Sequence, residues 1–376
     1  MKIGVFHPPT RFEAFGGSLV VTVTLVNALT GEGYDVTLFT IDKIDQQKLA
    51  DLIGERLSEK VKVTIKPSIF RSRSLINLYD NAIKLLTLKQ KCDLVIDTFS
   101  CYVFPWTDVC YIHFPYINNI FFKRNFPYLK KRKGILKESI NLPYLFFARN
   151  IQNYDRKLLI ANSYFTANAI TEAMKVDAKV LYPPITASFL KYSCFDERRE
   201  NIVVTIGRIT EDKKVEAIPK IANRVRDKDV KFIIIGFLHD KNTLYKVNAE
   251  IQRLGLKDRI KIFTNISKRD QEKILKSAKV YLHPPTIEHF GISIAEAMAL
   301  GCIPVVYEVG GAKEFVPKNF IYSNLEEAAK KVEKAIDTWS QKEAKRMNSI
   351  AQNFSEHNFR RNFLQMFSDY CNETSS

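Results

Sequence analysis

Short apolar runs alternate with amphipathic segments along this sequence, in two separate series. The first series begins at Lys2–Phe6 and ends at Ala178–Leu181, and the second begins afresh at Ile202–Ile206 and ends at Ile303–Tyr307. Such alternation is typical of βα units, in which parallel strands form a sheet with helices on its faces. The sequence therefore predicts two doubly wound α/β domains of the Rossmann-like kind.

The domain boundaries follow from where the two series start and stop. We expect an N-terminal domain over residues 1–185, a polar linker over 186–201, a second domain over 202–345 and a C-terminal helix over 346–376 that returns to the first domain. A length of 376 residues is sufficient for two cores. Two successive domains of this kind predict a cleft lined by the carboxyl ends of both sheets, where open α/β sheets bind ligands.

A net charge of +16 indicates a polyanionic partner, and one segment concentrates the positive charge. The segment 123–137 (KRNFPYLKKRKGILK) contains seven Lys or Arg residues and no acid, with aromatic residues on both sides. Basic and aromatic residues together suit an anionic membrane surface or a lipid diphosphate head group. A solvated basic loop is the alternative, and no recognised nucleic-acid module accompanies it. The membrane-facing or acceptor-facing candidates are Lys123, Arg124, Lys130, Lys131, Arg132 and Lys133.

The sequence also predicts location and metal content. No apolar run approaches the roughly 18–20 residues that span a bilayer, and no secretory signal precedes the first strand. We therefore expect a cytoplasmic protein, peripheral on the inner face of the membrane. The six cysteines include no C-x-x-C pair, which disfavours a zinc site, and we expect no metal and no cofactor.

The most specific motif is TIEHFGISIAEAMALGCIP at residues 286–304, which follows a predicted strand and runs into a helix. Gly291 then lies at a helix N-terminus, where free backbone N–H groups and the helix dipole favour an anionic diphosphate. Glu288 precedes this helix and Glu296 lies about one turn inside it. These carboxylates suit hydrogen bonds to a sugar and to ribose hydroxyls, although a capping loop with two surface glutamates would show the same spacing.

The same motif resembles the signature of retaining family 4 glycosyltransferases, which have the GT-B fold. The resemblance rests on two glutamates separated by seven residues, on the Phe-Gly pair after the first, and on the GGAKE segment at 310–314. It implies two Rossmann-like domains that face each other across a cleft. The donor-binding residues that it implies in this motif are Glu288, Phe290, Gly291, Ile292 and Glu296.

The segment GRITEDK at 207–213 resembles a second element of that family, in which an arginine and a lysine bind the donor diphosphate. The resemblance assigns this role to Arg208 and Lys213. Fixed cations would stabilise the negative charge that develops on the leaving group. The family's usual glycine after the lysine is Lys214 here, and a surface arginine and lysine without a role is the alternative.

Two features of the N-terminal half extend the resemblance. Gly16 and Gly17 lie where the family has a glycine pair facing the donor, and His113 resembles the histidine that points at the transferred sugar. The phrases YIHFPYI, ANSYFTANAI, VLYPPI and IEHFGIS are similar to the dolichol-pathway α-1,2-mannosyltransferases, which favours GDP-mannose as the donor and leaves a UDP-sugar open.

The resulting hypothesis is a retaining, metal-independent transfer of a hexose, with mannose favoured, to a lipid-linked (polyprenyl-phosphate) or other glycan acceptor. Its catalytic residues are His113, Glu288, Arg208 and Lys213. A sugar-nucleotide epimerase of the same fold and a non-catalytic glycan-binding protein are the alternatives. Net charge alone suggests a nucleic-acid-binding protein, and we expect no nucleic-acid partner.

Overall fold

The chain forms two compact units. The computed structural model describes residues 1–7, 17–67, 76–115, 154–185, 187–192, 195 and 198–375. One unit comprises Met1–Ala50, Glu55–Pro184 and His357–Ser376, and the other comprises Asp51–Gly54 and Ile185–Glu356.

The first unit is built on a seven-stranded parallel sheet. Its strands are β1 (Lys2–Phe6), β2 (Asp35–Thr40), β3 (Lys62–Ile65), β4 (Leu94–Asp97), β5 (Val109–Ile112), β6 (Leu158–Ala161) and β7 (Lys179–Val180). Their spatial order is β3-β2-β1-β4-β5-β6-β7. The order reverses beside β1, and in open sheets ligands bind at the carboxyl ends of the strands at such a switch point.

The helices described in the N-terminal half are α1 (Gly17–Gly31), α2 (Gln46–Ile53), α3 (Ile76–Lys89) and α4 (Tyr164–Met174). Helix α1 follows β1 and is buried along most of its length. Helix α4 begins where Ser163 accepts a hydrogen bond from the backbone N–H of Thr166, a standard N-cap that satisfies one otherwise unpaired donor.

The second unit contains a six-stranded parallel sheet with the order β10-β9-β8-β11-β12-β13. The strands are β8 (Glu200–Ile209), β9 (Lys231–Leu238), β10 (Ile260–Thr264), β11 (Ala278–Leu282), β12 (Ile303–Tyr307) and β13 (Ile321–Tyr322). The helices are α5 (Ala187–Leu190), α6 (Ala217–Arg224), α7 (Lys241–Arg253), α8 (Lys268–Ser277), α9 (Ile292–Ala299), α10 (Leu325–Thr338) and α11 (Gln341–Ala351). The carboxyl ends of these strands carry the loops described below.

The last helix, α12 (Glu356–Ser375), belongs to the first unit. It buries one face, formed by Phe359, Phe363, Phe367 and Tyr370, whose spacing places them along one side of a helix. The Phe359 ring lies 6.2 Å from Tyr111 of β5, measured between ring centroids. The helix therefore completes the core of a unit whose other residues come from the start of the chain.

The predicted fold class is confirmed, because both units are Rossmann-like parallel sheets. The strand β13 and the helix α10 were not predicted. Among the described residues, none of the helices combines the length and the apolarity that crossing a bilayer requires.

Candidate functional site

The candidate motif of the second unit places a helix N-terminus at the carboxyl edge of the sheet. Gly291 is the N-cap of α9, with a φ of 100° that favours glycine. A Cβ at this position would lie 2.6 Å from the Cδ1 atom of Ile294 and 3.2 Å from the Cγ atom of Glu288. The chain can therefore turn into α9 beside Glu288 only with glycine at this point.

The backbone of Glu288 is fixed by the second glycine segment. The backbone N–H of Gly311 donates to the carbonyl oxygen of Glu288 at 2.8 Å, and Gly310 forms a parallel bridge with Glu288. Gly310 has a φ of 125°, and a Cβ there would lie 2.2 Å from that same carbonyl oxygen. The two loops pack so closely that residue 310 must lack a side chain.

The carboxylate of Glu288 contacts two basic side chains. Its Oε2 atom lies 2.8 Å from Nζ of Lys213 and 3.4 Å from Nε2 of His283. Burial alone would raise the pKa of this carboxyl, but Lys213 and His283 hold it well below its usual range. Thr286 also donates its hydroxyl to the carbonyl of Asp212 at 2.8 Å, which ties the loop after β8 to the loop after β11. Glu288 is therefore a fixed, ionised acceptor.

The second glutamate has a different partner. Glu296 lies inside α9 and is 4% exposed, and its Oε2 atom accepts a hydrogen bond from Nζ of Lys268 at 2.6 Å. The Lys268 ammonium also lies 4.9 Å from the ring centroid of Phe189. The two motif glutamates thus form separate ion pairs, one with Lys213 and one with Lys268.

Arg208, at the end of β8, forms the weakest contact of the predicted set. Its Nη2 atom lies 3.7 Å from Oδ2 of Asp212, and 43% of its side chain is exposed. An exposed pair at this distance holds a guanidinium only loosely, so Arg208 is accessible to an anionic ligand.

The remaining predicted donor residues of α9 occupy different environments. The side chain of Phe290 is 2% exposed and packs against Phe315 and Phe354, with centroid distances of 5.0 and 5.1 Å. Only its backbone is positioned to meet a ligand. Ile292 is the first residue of α9 and is half-buried.

In the first unit, His113 follows β5 at the carboxyl edge of the sheet. Its Nε2 atom lies 3.1 Å from the carbonyl oxygen of Thr98, and its own carbonyl accepts a hydrogen bond from the hydroxyl of Thr166. Burial lowers the pKa of His113 to about 4, against the opposing effect of the Thr98 hydrogen bond. The imidazole is therefore neutral at physiological pH. Gly17 is the first residue of α1 at the same edge.

Two further titratable groups lie at this edge. His7 follows β1 and is 2% exposed, and burial together with the neighbouring His113 lowers its pKa to about 3. Asp97 ends β4, and burial raises its pKa to about 6 although Ser100 and the backbone N–H of Phe99 hydrogen-bond to it. Each of these groups is driven towards its uncharged form, because burial disfavours charge.

Some of the predicted site residues are not among the residues that the structure describes. Gly16 and the basic candidates Lys123, Arg124, Lys130, Lys131, Arg132 and Lys133 lie outside the described residues. Sequence reasoning missed His283, Lys268 and His7, although each follows directly or closely after the carboxyl end of a strand, which is the signal that would have found them. Within the described part of the chain, no group of three His, Cys, Asp or Glu side chains is arranged to hold a metal ion.

Known proteins resemble this chain in sequence, most specifically in its second unit. Residues 195–354 match the family model described as Glycosyl transferases group 1. A GDP-Man:Man(3)GlcNAc(2)-PP-Dol alpha-1,2-mannosyltransferase of Dictyostelium discoideum is 25% identical over 246 residues, which cover 58% of this chain and 48% of that protein. An alpha-1,3/1,6-mannosyltransferase of Kluyveromyces lactis is 23% identical over 367 residues, or 84% of this chain and 71% of that protein. The chain spans about half the length of the alpha-1,2-mannosyltransferases that it matches.

Solved structures share the fold along nearly the whole chain. A sucrose-phosphate synthase from Thermosynechococcus elongatus has a TM-score of 0.75 at 16% identity, with 98% of each chain covered. The Anabaena protein HepE, solved in complex with UDP and glucose, has a TM-score of 0.71 at 18% identity, with 98% of this chain and 100% of that chain covered. At these identities the likeness concerns the fold, which is GT-B. Residues 195–354 are therefore similar to glycosyl transferases group 1, in a chain that has the GT-B fold and resembles mannosyltransferases in sequence.

Proposed function

We propose that this protein is a glycosyltransferase that moves a hexose from a nucleoside-diphosphate sugar to an acceptor. The observation that carries the proposal is the Lys213–Glu288 ion pair beside the N-terminus of α9, where a carboxylate, an ammonium and free backbone N–H groups lie together. A sugar diphosphate has hydroxyls for the carboxylate and phosphate oxygens for the cation and the N–H groups.

The diphosphate is bound by positive charge. Lys213 already donates one proton to Glu288, and an ammonium has three, so the residue can contact both the carboxylate and a phosphate oxygen. Arg208 is accessible and adds a guanidinium suited to bidentate contact with phosphate. As the glycosidic bond breaks, its electron pair passes to the phosphate oxygen, and both cations stabilise the charge that accumulates there.

The proposed mechanism retains anomeric configuration and uses no protein nucleophile. The acceptor hydroxyl forms the new bond to the anomeric carbon on the face that the diphosphate leaves, and its proton passes to the departing phosphate oxygen. Glu288, kept ionised by Lys213 and His283, accepts hydrogen bonds from hydroxyls of the transferred sugar. From the family resemblance we propose His113, whose imidazole is neutral, as a further residue of the reaction. We propose that no metal takes part, with Arg208 and Lys213 supplying the charge that a metal would supply.

The donor and acceptor are proposed from the relatives. The name of the Dictyostelium relative specifies GDP-mannose and a dolichol-diphosphate-linked glycan. We therefore propose GDP-mannose as the favoured donor and a lipid-linked glycan as the acceptor. The basic segment 123–137, which lies outside the described residues, is proposed to contact an anionic membrane surface on its cytoplasmic side.

A thermal-shift panel of GDP-, UDP- and ADP-sugars tests donor binding. A donor at about one hundred times its dissociation constant stabilises the folded protein by about 2.7 kcal/mol. Lys213→Met removes this stabilisation, whereas Lys330→Met, on the exposed face of α10, retains it. The absence of a shift with every nucleotide sugar overturns the proposal.

A transfer assay with the stabilising donor separates the remaining alternatives. A glycosyltransferase consumes the donor in proportion to the acceptor supplied, and excess EDTA leaves the rate unchanged. Conversion of the donor without an acceptor identifies an epimerase. Binding without turnover in the presence of lipid-linked glycans identifies a glycan-binding or nucleotide-binding protein.

A further inference from the structure

Lys268 occupies a well-defined position in the second unit that the motifs do not assign. It is the first residue of α8, after the carboxyl end of β10, and the side chain of Ser267 caps the helix by accepting from the backbone N–H of Asp270. The backbone at this point is therefore fixed. The neighbouring carboxyl end is that of β9, the strand that lies between β8 and β10.

The ammonium of Lys268 is held by two contacts, one with a carboxylate and one with an aromatic ring. Its Nζ atom donates to Oε2 of Glu296 at 2.6 Å, and only 20% of the lysine side chain and 6% of the glutamate side chain are exposed. The ring of Phe189 lies 4.9 Å from the ammonium, within the range of a cation–π contact. A carboxylate removed from water needs such a partner, since an unpaired buried charge is strongly destabilising.

The partner also decides where the carboxylate points. A glutamate side chain has three rotatable bonds, and a hydrogen bond to one oxygen from a fixed ammonium restricts all three. The ion pair joins the first residue of α8 to the middle of α9, so the orientation of Glu296 depends on a residue that is distant in sequence.

We propose that Lys268 is a positioning residue that orients the Glu296 carboxylate towards the ribose hydroxyls of the donor nucleotide. The proposal rests on the proposed function, because it assumes a nucleoside-diphosphate sugar as the ligand. It goes further by making Lys268, a residue outside the motif, responsible for the orientation of this carboxylate and thereby for selectivity between ribose and deoxyribose.

The test compares the dissociation constants of GDP with those of 2′-deoxy-GDP and 3′-deoxy-GDP, measured by calorimetry on the full chain (with the UDP series if UDP binds more tightly). Loss of a hydroxyl bound by an ionised group is expected to weaken binding by about 30-fold in the parent protein. In Lys268→Met this ratio falls to less than about 5-fold, because the carboxylate is no longer oriented. A residue that only stabilised the fold would weaken all three ligands equally and leave the ratio unchanged.

The same helix offers a matched control. Lys276 also pairs with a glutamate, Glu272, at 2.6 Å, and its ammonium also lies over an aromatic ring, that of Tyr192, at 4.5 Å. Lys276→Met removes an equivalent ion pair and ring contact and is expected to keep the parent ratio. Lys268→Arg keeps the charge and is expected to retain a ratio between those of the parent and Lys268→Met, and it serves as the test if Lys268→Met fails to fold.

The outcomes separate the two proposals. If the parent protein binds no nucleoside diphosphate, both the proposed function and this inference are wrong. If the parent binds GDP and UDP without regard to the ribose hydroxyls, or if both Lys268 variants keep the parent ratio, the inference is wrong and the proposed function stands.

Discussion

Among the described residues, the titratable side chains at the carboxyl edges of the two sheets have different surroundings, although the strand order of the second sheet repeats that of the first six strands of the first sheet. At the edge of the first sheet, His7, Asp97 and His113 are each shifted towards the uncharged form by burial. At the edge of the second sheet, Lys213 pairs with Glu288 at 2.8 Å and Lys268 pairs with Glu296 at 2.6 Å. Among the described residues, the first edge thus has buried groups whose neutral forms are favoured, and the second edge has two ion pairs.

We propose that the second edge binds the diphosphate. A diphosphate carries fixed negative charge and requires cations and backbone N–H groups, which the second edge has at Lys213 and at the start of α9. At the first edge, the imidazole of His113, which burial keeps neutral, offers a hydrogen-bonding group without charge. We therefore expect substitutions at the second edge to affect the chemistry of the phosphate and those at the first to affect acid stability.

The largest effect is expected from Glu288→Gln, which removes the negative charge that Lys213 and His283 contact. Turnover is expected to fall by about 10³-fold, since one preorganised electrostatic group contributes about this much. Initial rates with the donor and acceptor proposed above measure it. Glu308→Gln changes an exposed glutamate just after β12 and is the matched control. Equal activity of the two variants would contradict a role for Glu288.

A second prediction concerns how Glu288 is held. Gly310→Ala places a Cβ against the Glu288 carbonyl oxygen and is expected to lower turnover by about 10²-fold, because small displacements of a positioned group have effects of this size. Gly255→Ala is the control, since Gly255 also has a positive φ, of 67°, but a Cβ there meets no atom within 4 Å. A similar loss of activity in both variants would show that backbone strain, and not the position of Glu288, is responsible.

The third prediction concerns His113 and the pH dependence of the free energy of unfolding. The pKa of His113 is about 4 in the folded chain and about 6.5 when unfolded, so below pH 6.5 the unfolded chain takes up a proton that the folded chain does not. The free energy of unfolding therefore falls as the pH is lowered towards 4, by about 2 kcal/mol at pH 5. His113→Asn lacks this group and should lose about 2 kcal/mol less than the parent between pH 7 and pH 5.

Denaturant unfolding at the two pH values measures this difference. His7 acts in the same direction as His113, whereas Asp97, with a pKa of about 6, acts in the opposite direction over this range. Both remain in parent and variant, so their contributions largely cancel when the two are compared. Parallel pH profiles for the parent and His113→Asn would show that the imidazole is not held neutral.

The smallest effect is expected for Asp212, an exposed residue in the loop after β8. Asp212→Asn removes the partner that lies 3.7 Å from Arg208, and because both side chains are more than 40% exposed the pair contributes little. Donor affinity is expected to change by less than about 3-fold, by calorimetry with the donor nucleotide. A loss of more than about 30-fold would mean that Asp212 positions Arg208 as strongly as Lys268 is proposed to position Glu296.

The fold was predictable because apolar periodicity reports the order of strands and helices directly. The strands after Lys2 and after Ile202 carry nearly continuous apolar runs, as strands covered on both faces do. Strand β13 escaped prediction because two residues, Ile321 and Tyr322, give no period to detect. Helix α10 follows it and has an amphipathic pattern that was not included in the second series.

The candidate site was only partly predictable. Each motif is a single short segment of the sequence, whereas each ion pair joins residues that are far apart in sequence. The spacing of Glu288 and Glu296 was visible in a single segment, and so was the start of α9 at Gly291. Their partners lie elsewhere in the chain. Lys268 reaches Glu296 across 28 positions and Lys213 reaches Glu288 across 75, and only the packing of α8, α9 and the β8 loop brings them together.

Helix α12 has a consequence for how the protein is made. Its residues follow the second unit in the sequence, yet Phe359 and Phe363 belong to the core of the first unit, where the Phe359 ring lies near Tyr111. The first unit is therefore completed only after the second unit has been synthesised, and until then it lacks these apolar side chains. A premature stop at His357 would keep the residues of the second unit and leave the first unit unfinished.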